Sequence, residues 1–133
     1  MTNENEQTTK QPTTIAEWQR AAYAQSAASG FHDDDASLTP RERISVYMNN
    51  LHSEASELWE SFRAGKLGEP CDKAEKMAAM GLRPLTCLEE ELADIALRNL
   101  DNAAAYGVNL QEAMAIKHAY NGTRARKHGG KLA

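Results

Sequence analysis

The sequence predicts an all-α fold, a bundle of four main helices plus one short helix, on three observations. Alanine supplies 22 of the 133 residues and leucine 12, whereas valine and isoleucine together supply six. Strands favour β-branched side chains while Ala and Leu favour helix, so a sheet-dominated fold is disfavoured. Helix-start signals of one type alternate with glycine stops along most of the chain. Finally, the apolar residues between those signals recur at helical spacing. A length of 133 residues leaves room for one domain, placed at residues 14–131, with a modest core.

Residues 1–13 lack periodicity and read as a disordered tail. A first helix starts at Thr14, with Glu17 placed for a capping box, and runs to Ser29 before Gly30. Phe31 to Leu38 reads as a loop with a solvated aspartate cluster, Asp33 to Asp35. Thr39-Pro40-Arg41-Glu42 combines a cap, a proline at the first helical position and a glutamate at the third, opening a helix that runs to Arg63 or Ala64. A short helix follows from Asp72 to Met80 and stops at Gly81. Thr86-Cys87-Leu88-Glu89 opens another, carried to Tyr106 and closed by Gly107. Asn109 caps the last, which frays near Lys127.

Composition removes several function classes. Four prolines and eight glycines are too few for a fibrous or low-complexity chain. The net charge of −4 disfavours a general nucleic-acid binder. No apolar run approaches the ~20 residues of a membrane span, and the polar start does not read as a signal peptide. Cys71 and Cys87 fit no zinc or redox spacing, so a reducing cytoplasm is the expected location. Charge is uneven nonetheless. Pro84 to Asp101 holds five carboxylates and one arginine, while Lys117 onward holds five Lys/Arg, two histidines and no acid.

Two carboxylate pairs carry the chemistry. Glu54 and Glu57 lie one helical turn apart, as do Glu91 and Asp94, so each pair projects from one side of its helix. On a helical wheel Ile44, Tyr47, Leu51, Ala55, Leu58 and Phe62 form one stripe, with Glu54 roughly 65° and Glu57 roughly 125° from its centre. Leu88, Leu92, Ile95, Ala96 and Ala103 form a second, with Glu91 roughly 90° and Asp94 roughly 150° away. If the stripes pack together, Glu54 and Glu91 border the core and the outer pair line the same groove. Four converging carboxylates repel one another unless cations neutralise them, and Mg²⁺ or Mn²⁺ suit an all-oxygen site. In the last helix Lys117, Asn121, Arg124 and His128 follow steps of four, three and four, with Lys127 and Lys131 beyond. A cationic face of that kind suits a polyphosphate.

The pairs Glu54/Glu57 and Glu91/Asp94, the latter within EELADI, resemble the ExxE…ExxD signature of the MazG-like all-α nucleoside triphosphate pyrophosphohydrolases. The tail KHAYNGTRARKHGGK is similar to that family's closing segment. The resemblance spans residues 15–131 and implies hydrolysis of an NTP or dNTP to the monophosphate and pyrophosphate. It implies Mg²⁺ held by Glu54, Glu57, Glu91 and Asp94, with a Glu54 or Glu57 carboxylate as general base. It also implies nucleotide contacts from Lys117, Asn121 and Arg124, and a role in cleaning the nucleotide pool. One departure stands out: 33 residues separate Glu57 from Glu91, longer than usual, and the excess holds the short helix.

Further candidates are Lys127 as a substrate contact, Trp18 as a stacking partner, and His32, in the loop where related enzymes approach the base. Trp59 reads as an anchor and Tyr120 as packing. Arg98 and Asp101 read as a salt-bridged helix face, with Asp101 able to orient a water. A core this rich in alanine is expected to bury more by pairing with itself, as a homodimer or homotetramer. Two rival functions fit the pattern less well. A di-iron bundle needs Glu-x-x-His on two helices, and neither Glu54 nor Glu91 has a histidine three residues on. A non-catalytic nucleotide-binding or interaction module is disfavoured by all four acidic positions being filled.

Overall fold

Thr14, Thr39, Thr86 and Asn109 each accept a hydrogen bond from the backbone N–H three residues on, so four helices begin where the cap signals lie. The structure, a computed structural model, describes residues 10–132 and, within them, not the side chain of His128. Residues 1–9 of the expected tail therefore fall outside the described residues. The helices are α1 (Ile15–Ala28), α2 (Pro40–Arg63), α3 (Ala74–Ala79), α4 (Cys87–Ala105), α5 (Leu110–Gly122) and α6 (Lys127–Gly130). Thr39/Glu42 and Thr86/Glu89 form complete capping boxes. Glu17 instead reaches one residue further back, to the backbone N–H of Thr13 at 2.8 Å. Among the described residues the only β-pairing is one isolated antiparallel bridge, Pro70 with Thr86.

Two boundaries differ from the expectation. The short helix starts at Ala74 rather than Asp72, since Asp72 makes no cap and the bridge at Pro70 holds the chain extended up to Cys71. The last helix ends at Gly122, and Thr123 closes it with its hydroxyl donating to the Tyr120 carbonyl at 2.7 Å. A glycine followed by a β-branched residue is a poor place to continue a helix. Arg124 and Lys127 thus lie beyond α5, off the face that Lys117 and Asn121 share.

Helix α4 is central. It packs against α1 and α2, while α5 docks on α1. Gln19 fastens that second contact by donating to the Val108 carbonyl at 2.6 Å, and Ala16 N–H donates to Gln111 Oε1 at 3.1 Å. Arg43 of α2 closes the far end of α4, donating to the Ala105 carbonyl at 2.8 Å with its guanidinium 4.7 Å from the Tyr106 ring centre. A cation at a helix C-terminus meets unsatisfied carbonyls and the negative end of the dipole.

The expected stripe-on-stripe packing holds only in part. Tyr47 is buried and Leu51, Leu58, Ile95 and Ala103 are half-buried, but Ile44, Phe62, Leu88 and Leu92 are exposed. The arc of α4 turned toward its neighbours carries Glu91, Asp94, Leu97, Arg98 and Asp101 instead. Two charges of that arc find partners on other elements, Arg98 on Glu54 and Asp101 on His32, whereas Glu91 and Asp94 have none among the described residues. Among the described residues the buried apolar set is only Ala22, Tyr47, Cys71 and Ala74, beside buried Glu90, Glu91 and Asp101.

Candidate metal centre

Where α2 crosses α4, Glu54, Glu57 and Glu91 each offer an oxygen, and the three oxygens lie within 4.8 Å of one another. The three differ in setting: Glu57 is exposed, Glu54 half-buried and Glu91 buried. Three of the four sequence-predicted carboxylates thus converge. Asp94, one turn beyond Glu91, stands beside Glu54 in the wall of a neighbouring cleft rather than in the tight trio.

The electrostatics are those of a site short of positive charge. Burial pushes the Glu91 carboxyl up to about 7, and the negative charges of Glu57, Glu90 and Asp94 push the same way. Its Oε2 is buried with no hydrogen-bond partner. Asp94 is also raised, first by burial and then by Glu54 and Glu90. An orphaned buried carboxylate oxygen beside two further carboxylates fits a hard divalent cation such as Mg²⁺ or Mn²⁺, which takes oxygen ligands.

Two clefts flank the trio. One, of about 250 Å³, lies between α1, α2 and α4 and includes Ser26, Phe31, Glu54, Asp94, Arg98 and Asp101 in its lining. The other, of about 520 Å³, lies between α2, α4 and the segment before α3, and includes Ser53, Ser56, Glu57, Lys73, Glu90 and Glu91. Each contains one cation. Arg98 donates to Glu54 Oε1 at 2.9 Å, and Lys73 pairs with buried Glu90. Neither is among the site residues that the sequence predicts. Lys73 belongs to the long insertion, which the Pro70–Thr86 bridge ties back to the start of α4. Arg98 did carry a signal, its position one turn past Asp94, but a surface pair accounted for it equally well.

His32 is not left open to a ligand. One ring nitrogen is 2.7 Å from Asp101 Oδ1, and the other 2.7 Å from Asp35 Oδ2 and 3.1 Å from the Tyr47 hydroxyl. Tyr47 donates to the same Asp35 oxygen at 2.5 Å, and the Tyr23 ring stacks on the imidazole at 4.5 Å. Burial alone lowers the His32 pKa, but hydrogen bonds and charge from Asp101 and Asp35 outweigh it and leave it above the usual histidine value. Asp35 therefore turns inward rather than sharing a solvated acidic loop. This network pins the loop before α2 onto α4 and places Phe31 at the edge of the smaller cleft.

The remaining sequence candidates lie elsewhere. Trp18 is half-buried on α1 and lines neither carboxylate cleft. Lys117 and Asn121 line an apolar groove along α5 with Leu110, Ala113, Met114 and His118. Tyr120 is exposed rather than packed, with the Lys117 ammonium 4.9 Å and the Arg124 guanidinium 6.0 Å from its ring. Lys127 sits in α6. The structure brings none of these four basic-tail candidates to the carboxylate trio. Trp59 is exposed and stacks on Phe62 at 5.4 Å. Comparison with known proteins adds no relative: the chain matches no family model, no curated protein and no solved structure.

Proposed function

We propose that the chain is a MazG-like, Mg²⁺-dependent pyrophosphohydrolase that cleaves a nucleoside or deoxynucleoside triphosphate to the monophosphate and pyrophosphate. The observation that carries this reading is the convergence of Glu54, Glu57 and Glu91 around the unpartnered Oε2 of Glu91. Glu54, Glu57, Glu91 and Asp94 would hold the metal, with Mn²⁺ as a substitute. When bound, the ion supplies Lewis-acid stabilisation of the phosphate oxygens and neutralises the repelling carboxylates. Of the two candidate bases, Glu54 is paired with Arg98, whereas Glu57 is exposed and forms no ion pair among the described residues; this favours Glu57 as the group that takes a proton from an attacking water, through the oxygen not turned to the metal. The smaller cleft, with Phe31 at its edge and Arg98 in its wall, takes the α-phosphate and the nucleoside joined to it. The reading does not rest on Lys117, Asn121, Arg124 or Lys127, which lie along or beyond α5. The role proposed is nucleotide-pool cleaning in the cytoplasm, consistent with two free cysteines and with no described helix long and apolar enough to cross a membrane.

The same proposal includes a homo-oligomer, a dimer or a pair of dimers. The chain exposes 10536 Å², whereas a compact monomer of this mass exposes about 6,900 Å². Exposed Ile44, Met48, Trp59 and Phe62 on α2, and Leu88 and Leu92 on α4, are the surface a second copy would cover.

The test is a panel of standard and modified NTPs and dNTPs with Mg²⁺, scored separately for pyrophosphate and orthophosphate. Pyrophosphate is the expected product, and Glu54→Gln and Asp94→Asn are expected to lower kcat at least 100-fold. Variants as fast as the parent would remove the site assignment, and orthophosphate alone would remove the reaction.

A further inference from the structure

Arg98 sits where a cation is needed and has donors to spare. Its side chain is 22% exposed, Nη2 donates to Glu54 Oε1 at 2.9 Å, and the guanidinium lies 5.5 Å from the Phe31 ring centre. Its Nε is buried without a partner, although the group carries five N–H donors in all. Glu54 is its one hydrogen-bond acceptor among the described residues. The same guanidinium lines the smaller cleft beside Asp94 and Asp101.

Glu54 is claimed twice, by Arg98 and by the proposed metal. A divalent ion at a Glu54 oxygen brings two charges to about 2.1 Å and takes up the negative charge that holds Arg98, so the single hydrogen bond from Arg98 to Oε1 weakens. A guanidinium released from Glu54 remains in the wall of the cleft, with a planar fork suited to two oxygens of one phosphate. We propose that Arg98 is an exchange residue: it neutralises Glu54 in the metal-free chain and, on metal loading, turns its fork to the phosphate oxygens of the substrate in the smaller cleft. This rests on the pyrophosphohydrolase reading and adds a substrate contact that the C-terminal basic segment does not supply. Phe31 stacked over the guanidinium keeps the fork at the cleft in both states.

Two titrations by calorimetry test this, with Mn²⁺ alone and with a non-hydrolysable α,β-imido triphosphate at saturating Mn²⁺. Arg98→Gln is expected to bind Mn²⁺ about tenfold more tightly, because no internal cation competes for Glu54, and the analogue at least tenfold more weakly. Arg98→Lys keeps the charge but loses the fork, so it should hold Mn²⁺ as the parent does and still bind the analogue several-fold more weakly. A structural salt bridge would move both affinities down together or neither, and either result overturns the exchange role. If Arg98→Gln does not fold, unchanged analogue binding in Arg98→Lys overturns it equally. A parent chain that binds no Mn²⁺ is a different failure, one that removes the metal-dependent reading beneath it.

Discussion

At Glu91, burial and three neighbouring carboxylates all act on one proton in the same direction. Its carboxyl titrates near 4.5 when unperturbed and is pushed up to about 7 in the folded chain. Between those values the folded state holds a proton that the unfolded state has released, so this residue's contribution to metal-free stability falls as pH rises through the window and is level above it. The loss is on the order of 3 kcal/mol. Glu91→Gln should therefore gain on the parent between pH 5 and pH 8 in urea unfolding with chelator present. A gap that stays constant across that range would contradict the buried, unneutralised state. Mg²⁺ should reverse the trend for the parent alone, since it stabilises the ionised carboxylate.

His32 has the opposite sign. Its folded pKa is raised, so its contribution is fully present below the unfolded value near 6.5 and is lost as pH rises through the folded value. The His32 and Asp101 side chains are each only 7% exposed, so deleting the imidazole strands a buried carboxylate. His32→Ala should lose about 3 kcal/mol at pH 6, and less at pH 9 where the parent has also lost the charge. An equal loss at both values would mean the ring acts by packing on Tyr23 rather than by charge.

Helix α4 shows how an element can satisfy local rules and still face an unexpected way. Thr86 and Glu89 start it as the cap signal requires, and its apolar residues do form a stripe. Yet Leu92 is 51% exposed while Glu91, next to it, is buried. Ion pairs from three other segments make the inversion tolerable: Arg98 to Glu54 on α2, Asp101 to His32 in the loop, and Glu90 to Lys73 before α3. If a second copy covers the outward stripe, Leu92→Glu should shift the mass in solution toward that of one chain, with helicity retained by circular dichroism. Unchanged mass, at either one copy or several, would place any interface elsewhere.

Over the whole molecule, a net charge of −4 conceals two separated populations. Acidic groups gather at the α2–α4 crossing, and the cations that answer them are Arg98 and Lys73 rather than the C-terminal basic run. Helix starts were legible from sequence because a cap at Thr39 or Thr86 is decided by atoms three residues apart, and glycine stops are equally local. The pairing of Glu54 with Glu57, and of Glu91 with Asp94, was legible for the same reason, since one helical turn places them. Convergence of the two pairs could be expected only from their position at the edges of stripes, and the structure brings three together and leaves Asp94 in the cleft wall. The roles of Arg98, Lys73 and His32 were not legible, because each depends on a partner 17 to 69 residues away. Local hydrogen-bond geometry thus determines the helices and their carboxylate pairs from sequence. Which face of α4 turns inward, and which cations stand beside those carboxylates, was decided only when α1, the loop at His32, α2 and the insertion closed around it. Desolvation and ion pairing are properties of that closure, not of any segment alone.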